Sequence, residues 1–255
     1  MLLTIDVGNT QTVLGLFEGD QIVEHWRLAT DPRRSADELG LLVTGLLAAS
    51  ENEDTVDGIA CCSTVPSALR EMRTMCERWF DAVPLVVVEP GIRTGVPVLY
   101  DNPKEVGADR IVNTLAAYTL HGGPAVVVDF GTSTNFDVVS RTGEFLGGVL
   151  APGIEISVDA LASRAAQLMK VQLVRPRSVI GKNTVESLQS GIIYGFAAQV
   201  DGITERIIAE LGTPATVIAT GGLAQVVLEE CRHIDVHEPW LTLIGLRLMF
   251  ERNTT

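Results

Sequence analysis

The sequence predicts an α/β protein built from two similar halves, on three observations. Apolar residues make up 46% of the 255 positions and 24 are glycine, a composition of globular chains that mix strands and helices. The motif Asp6-Val7-Gly8-Asn9-Thr10 returns in altered form as Asp129-Phe130-Gly131-Thr132-Ser133-Thr134, and each copy ends an apolar strand and precedes another β-like run. The order strand, strand, strand, helix, strand, helix, strand also occurs twice along the chain. Identity between the halves is low, so the duplication rests on order and motif. The expected division is 1–120 and 121–255.

In the first half, Leu2-Leu3-Thr4-Ile5 opens a strand over 2–6, followed by strands near 12–18 and 21–28 joined through Glu18-Gly19-Asp20, a hairpin turn by composition. A helix is expected over 35–50, started by Ser35 or Asp31-Pro32, with Leu39, Leu42, Val43, Leu46 and Leu47 as its apolar face. Ile59–Cys62 reads as a buried strand, Ser63-Thr64 as the cap of a helix over 66–80 with Pro66 in its first turn, and Leu85–Val88 as a closing strand.

The second half runs through strands 125–129, 134–140 and 144–150, the latter two joined by a turn at Arg141-Thr142-Gly143. Helices are expected at 154–168 and 184–211, a strand at 215–219, a helix from 221, a short strand at 233–236 and a last helix at 241–252. The long helix carries Leu188, Ile192, Phe196, Ile203, Ile207 and Leu211 with Gly191, Gly195, Ala197 and Ala198 interspersed. Core packing explains its apolar residues, and its small residues suit the close approach of a second helix at a subunit interface.

The repeated loops carry the chemistry. Glycine lets a backbone approach a ligand closely, turn amides and hydroxyls donate to phosphate oxygens, and an aspartate there can face a cation. An ordinary Asp-Gly hairpin has the same composition, but two copies at matched positions favour phosphate loops. A third glycine loop, Ala219-Thr220-Gly221-Gly222-Leu223, suits either an anion or nucleotide at a helix start or a plain tight turn. Ile180-Gly181-Lys182-Asn183-Thr184 lacks the first glycine of a Walker A loop, where Pro176 stands, and Asn183 follows the lysine. Asn183 or Thr184 is expected to cap the long helix, and the loop is also in reach of a ligand.

Between the halves, Gly107 opens a helix over 108–120, which puts Asp109 and Arg110 in its first turn. Asp109 complements the helix dipole there, worth about 0.3–1 kcal/mol, whereas a cation at a helix start is unfavourable. A carboxylate beside a guanidinium between two phosphate loops therefore reads as a substrate site.

The net charge of −13 argues against nucleic-acid and anionic-membrane partners, which need clustered Lys and Arg. The N-terminus shows no secretory pattern, and no uncharged apolar stretch is long enough to span a membrane. Cys61, Cys62, Cys76 and Cys231 contain no C-x-x-C pair, and Cys61 and Cys62 read as small core residues, so a reduced cytoplasm is expected. His233 and His237 lie four apart before Pro239 and do not read as a metal site.

With these residues assembled, the chain resembles the type III pantothenate kinase family of the acetate and sugar kinase/Hsp70/actin superfamily. The resemblance rests on D-V-G-N-T at 6–10, D-N-P-x-x-x-G-A-D-R at 101–110, D-F-G-T-S-T at 129–134, G-G-x-x-x-P-G at 147–153 and G-K-N-T at 181–184, in the family's order. Ser133 stands where the family often has alanine. The resemblance implies duplicated ribonuclease-H-like, actin-like ATPase domains with an interdomain nucleotide cleft. It implies that Asp6, Val7, Gly8, Asn9, Thr10, Gln11, Thr12 and Val13 hold the ATP phosphates, with Thr132 a further contact. Asp129 would bind a monovalent cation, K+ or NH4+. Gly107, Ala108, Asp109 and Arg110 would bind pantothenate together with Tyr100 and Thr184, and Asp109 would be the catalytic base. The implied reaction is ATP-dependent phosphorylation of pantothenate to 4'-phosphopantothenate, the first step of coenzyme A biosynthesis, in a homodimer.

Phosphoryl transfer asks for positioning and charge neutralisation more than covalent catalysis. Few basic residues lie in these loops, so Asp6 is expected to act through Mg²⁺, possibly through water. A superfamily kinase for another small substrate and a non-catalytic nucleotide-binding regulator share the glycine loops. The intact Asp6, Asp109, Arg110 and Asp129 argue against the regulator.

Overall fold

The computed structural model describes residues 1–50, 56–164 and 171–254. Among them the chain begins with strands β1 (Leu2–Val7), β2 (Gln11–Glu18) and β3 (Gln21–Ala29), helix α1 (Ala36–Ala49), strand β4 (Gly58–Ser63), helix α2 (Pro66–Trp79) and strand β5 (Leu85–Val87). The sheet order is β3-β2-β1-β4-β5, antiparallel along β1, β2 and β3 and parallel from β1 through β4 to β5. A 3-10 turn at Pro103–Glu105 and helix α3 (Ala108–His121) follow.

The second sheet repeats this plan with β6 (Ala125–Phe130), β7 (Ser133–Val139), β8 (Phe145–Pro152), β9 (Thr216–Thr220) and β10 (Val236–His237), ordered β10-β9-β6-β7-β8. Its helices are α4 (Ile154–Arg164) and α5 (Thr184–Leu211), and α6 (Leu241–Thr254) ends the described chain. The strands match element for element, β1 with β6, β2 with β7, β3 with β8, β4 with β9 and β5 with β10. The expected duplicated ribonuclease-H-like architecture is present.

Alternation sets the cores. Leu3, Ile5 and Val7 of β1 point to one face and pack with Leu39, Val43 and Leu47 of α1 and Met72 and Met75 of α2, while Thr4 and Asp6 take the other face. In the second sheet Val126, Val128 and Phe130 pack with Ile154 and Val158 of α4 and Ile192 and Val200 of α5. Ser35 caps α1 in a complete capping box with Glu38. The buried stripe of α1 is Ala36, Leu39, Gly40, Val43 and Leu47. Leu42 falls outside that helical period and stands 37% exposed.

Other departures have local causes. The N-cap of α2 is Val65 without a side-chain cap. Ser63 Oγ accepts from the Val65 amide at 2.9 Å and donates to the Val7 carbonyl at 3.1 Å, so it ties strand ends together. The expected helix from 221 is instead two 3-10 turns, Ala224–Val226 and Leu228–Glu230. Ala224 and Val227, three apart, are both fully buried, which suits the three-residue 3-10 period. The strand expected at 233–236 shrinks to Val236–His237 because the Arg232 and His233 amides donate to Asp201, at 2.8 and 3.2 Å, and not to a strand ladder. Residues 165–168 of the expected fourth helix lie outside the described residues.

Contacts group the chain into two units. One comprises Met1–Pro97, Asp101–Ala116 and the C-terminal helix, and the other Val98–Tyr100 and Ala117–Trp240. This grouping departs from a cut after residue 120 in three places, at Val98–Tyr100, within α3 and at α6. Helix α6 buries Leu241, Leu243, Leu246 and Met249 and packs on β1, β2, β4 and β5 of the first sheet. Among the described residues no helix is long and apolar enough to cross a membrane.

Candidate active site

In the first unit the site begins at the β1–β2 hairpin. Asp6 is the penultimate residue of β1. The Gly8 amide donates to the Gln11 carbonyl at 3.0 Å, which closes the turn and leaves Asn9 and Thr10 exposed. Thr12 is buried, its hydroxyl 2.9 Å from that of Thr30. The Thr30 amide donates to the Thr10 carbonyl at 3.0 Å, so the loop is held from its own strand and from the end of β3. Val7 points into the core and Val13 pairs with Asp6 across the strands.

Cys61 and Cys62 are both fully buried, as expected of small core residues, but only Cys61 packs in the α1–α2 cluster. Cys62 pairs in register with Asp6 on the opposite face and its Sγ donates to Asp6 Oδ1 at 3.4 Å. Burial pushes this thiol well above its ordinary range, and the charges of Asp6 and Asp109 push it further. It therefore stays a protonated donor. The two carboxylates thus act on the same buried thiol, one from the β1–β2 hairpin and one from the start of α3.

Asp109 lies in the first turn of α3 with its side chain folded back over the helix start. A Cβ on Gly107 would sit 2.4 Å from Asp109 Oδ1, so the absence of a side chain there makes room for the carboxylate. Oδ1 is buried and has no hydrogen-bond partner. Burial pushes the Asp109 carboxyl above the usual range, against the Arg110 amide, the Arg110 charge and its own amide, which pull it down. Arg110 is 8% exposed, and Ala108 is the first helical residue between Gly107 and Asp109.

In the second unit, Asp129 is the penultimate residue of β6 and Thr132 lies in the β6–β7 turn, where the Gly131 amide donates to the Ser133 carbonyl at 3.0 Å. The third glycine loop closes over this carboxylate. Gly221 has φ +91, and a Cβ there would stand 2.5 Å from Asp129 Oδ1. Thr220 pairs with Asp129 as Cys62 pairs with Asp6, so the duplication extends to the neighbour of each aspartate. Tyr100 is tilted against Phe145 with ring centroids 6.0 Å apart. Thr184 is the first, exposed residue of α5, and the cap is Asn183, which accepts from the Glu186 amide at 2.9 Å.

Two mixed sheets in this order, each with an aspartate as the penultimate residue of its first strand before a glycine hairpin, form a fold shared with sugar kinases. The structure is similar to a ROK family glucokinase from Streptomyces griseus in complex with glucose and AMPPNP (TM-score 0.54, 14% identity, 98% of this chain and 99% of that one). It is also similar to a ROK hexokinase from Thermus thermophilus (TM-score 0.53, 15% identity, 98% and 97%). At such identity the likeness is one of fold.

Sequence comparison is more specific. The family model for type III pantothenate kinase matches residues 2–206. A type III pantothenate kinase of Acidothermus cellulolyticus is 76% identical over 253 residues, 99% of each chain. One from Parafrankia is 67% identical over 254 residues, 100% of this chain and 99% of that one. The chain belongs to the type III pantothenate kinase family.

Proposed function

We propose that this protein transfers the γ-phosphoryl group of ATP to the primary hydroxyl of pantothenate, the step that opens coenzyme A biosynthesis, with Asp109 as general base. The observation that carries the reading is the buried carboxylate oxygen of Asp109, which lacks a hydrogen-bond partner and sits beside Arg110 in a family named for this reaction. An acceptor left unsatisfied in a buried place costs about 1–3 kcal/mol. A substrate hydroxyl placed against Oδ1 removes that cost.

In this reading Asp109 takes the hydroxyl proton as the hydroxyl oxygen bonds to the γ-phosphorus, the bond to the bridging oxygen breaks, and ADP leaves. The raised affinity of Asp109 for a proton suits that role, while Arg110 holds an anionic or polar part of pantothenate. Gly107 and Ala108 bring the backbone close to the substrate, and Tyr100 and Thr184 complete its site. The hairpin from Asp6 to Val13 holds the ATP phosphates with Thr132 as a further contact.

Mg²⁺ and a monovalent cation, K+ or NH4+, belong to the same proposal. Among the described residues no group of three His, Cys, Asp or Glu is placed to hold a metal. Mg²⁺ would be bound mainly by phosphate oxygens, with Asp6 touching it directly or through water. The monovalent cation would be held by Asp129, whose Oδ1 lies against the bare Gly221 backbone. Both ions would supply positive charge at the phosphates when bound. A homodimer is also proposed, because Gly191, Gly195 and Ala198 are exposed on α5 and leave room for a close helix. A monomer mass in light scattering would overturn that part.

ADP release with ATP, Mg²⁺ and pantothenate, in potassium against sodium, tests the reading. Turnover that requires pantothenate and potassium and is lost in Asp109→Asn is expected. Turnover by the variant at the wild-type rate would remove Asp109 from the role of base.

A further inference from the structure

The phosphate hairpin from Asp6 to Val13 contains no lysine or arginine, yet its reading as a polyphosphate site asks for cationic charge. Strand pairing supplies a candidate outside the hairpin. Asp6 pairs with Val13, and Val13 pairs with Arg27. Directly paired residues project to the same face of a sheet. Arg27, Val13, Asp6 and Cys62 therefore form one row across β3, β2, β1 and β4, on the face opposite the α1–α2 core. Neighbouring strands lie about 4.8 Å apart, so the backbone of Arg27 is two strand spacings from that of Asp6.

The side chain turns toward the loop. Arg27 Nη1 donates to Gln11 Oε1 at 3.4 Å, and Gln11 is the residue whose carbonyl closes the hairpin. Gln11 pairs with Ala29, one step nearer the hairpin along the same face. A contact of that length to a neutral amide is weak and yields readily to a phosphate oxygen, which accepts a guanidinium N–H in a shorter, charge-assisted bond. The base of Arg27 is also fixed, since the end of its strand is held by the Thr30 amide on Thr10 and by the Thr12–Thr30 hydroxyl pair.

We propose that Arg27 is a phosphate-binding residue of the nucleotide site, reaching over Val13 from β3 to the polyphosphate held by the β1–β2 hairpin. It supplies from a third strand the cation that the hairpin lacks. An arginine on an outer strand also serves as a solvated edge charge. The lean toward Gln11 and the shared row with Asp6 distinguish the two roles.

The proposal rests on the reading of Asp6–Val13 as an ATP loop but not on pantothenate being the acceptor. Equilibrium binding of ATP, ADP and AMP with Mg²⁺ is measured by calorimetry for the wild type, Arg27→Ala, Arg27→Gln and Arg27→Lys. Arg70→Ala serves as a control that removes one charge from α2, the helix packed against the other face. Arg27→Ala and Arg27→Gln are expected to weaken ATP by about tenfold, equivalent to 1.4 kcal/mol, and AMP by less than about twofold. Arg27→Lys should recover part of the loss and Arg70→Ala should bind as the wild type. ATP affinity within about twofold of the wild type in both neutral variants overturns the proposal, as does equal weakening of ATP and AMP. Wild-type protein that binds no nucleotide overturns it together with the ATP reading. If ATP binding falls in the variants while the wild type fails to phosphorylate pantothenate, Arg27 keeps its role and only the acceptor is wrong.

Discussion

At the scale of single residues, Asp109 carries a folding cost that its proposed role as general base would explain. Its unfolded carboxyl titrates near the model-peptide value of about 3.9, and burial raises the folded value above that. The native state therefore holds the proton more tightly than the unfolded chain, and the charged form carries a folding cost above the folded pKa. Asp109→Asn removes this cost. The variant should resist urea better than the wild type at pH 7, and the gain should vanish as pH falls below the unfolded value. Its kcat should fall by about 10²–10⁴-fold with ATP affinity nearly unchanged. On the acid side the wild-type kcat should decline as Asp109 takes up its proton, with a midpoint above that of an ordinary aspartate. A second change tests the space beside it. Gly107→Ala forces the carboxylate to rotate, because its Cβ would stand 2.4 Å from Oδ1. It should lower kcat while leaving ATP binding intact, and kinetics beside calorimetry separate the two.

At the scale of elements, the site depends on how strands and helices end. Asn183 caps α5 through the Glu186 amide, so Asn183→Ala should lower stability by about 1 kcal/mol and loosen the first turn that carries Thr184. Thermal denaturation checks the first effect and the KM for pantothenate the second. The end of β9 is held by the left-handed Gly221 over Asp129. Gly221→Ala adds backbone strain of about 1–3 kcal/mol and crowds the carboxylate, so the potassium dependence of turnover should weaken along with the melting temperature. These ends were partly legible in sequence, because strand-ending Asp-Gly motifs and helix caps are encoded within a few residues. The loss of the expected helix after 221 was not. It depends on Ala224 and Val227 meeting a core formed by residues far away in the chain.

At the scale of the molecule, the two similar halves do not divide as two consecutive lengths of chain. Helix α6 buries its apolar side on the sheet of the first unit, so deleting residues after Trp240 should expose that sheet face. Loss of soluble protein, or of cooperative unfolding by circular dichroism, is the expected outcome. A truncated protein that folds and binds ATP like the full chain would show that α6 is dispensable.

The amino-acid sequence by itself determined the α/β class, the repeated order of strands, both Asp-Gly hairpins and the Asp109–Arg110 pair at the start of α3. Each depends on apolar periodicity, glycine or capping within a short window, and a repeated motif made the hairpins stand out. Tertiary structure alone decided that Cys62 serves Asp6 while Cys61 serves the core, since a period-two strand assigns neighbours to opposite faces and only pairing with β1 says which face is which. It decided likewise that Arg27 shares the row of Asp6, and that the last helix belongs to the first unit. Such relations join residues far apart in the chain through register and burial, and no local pattern of side chains records them.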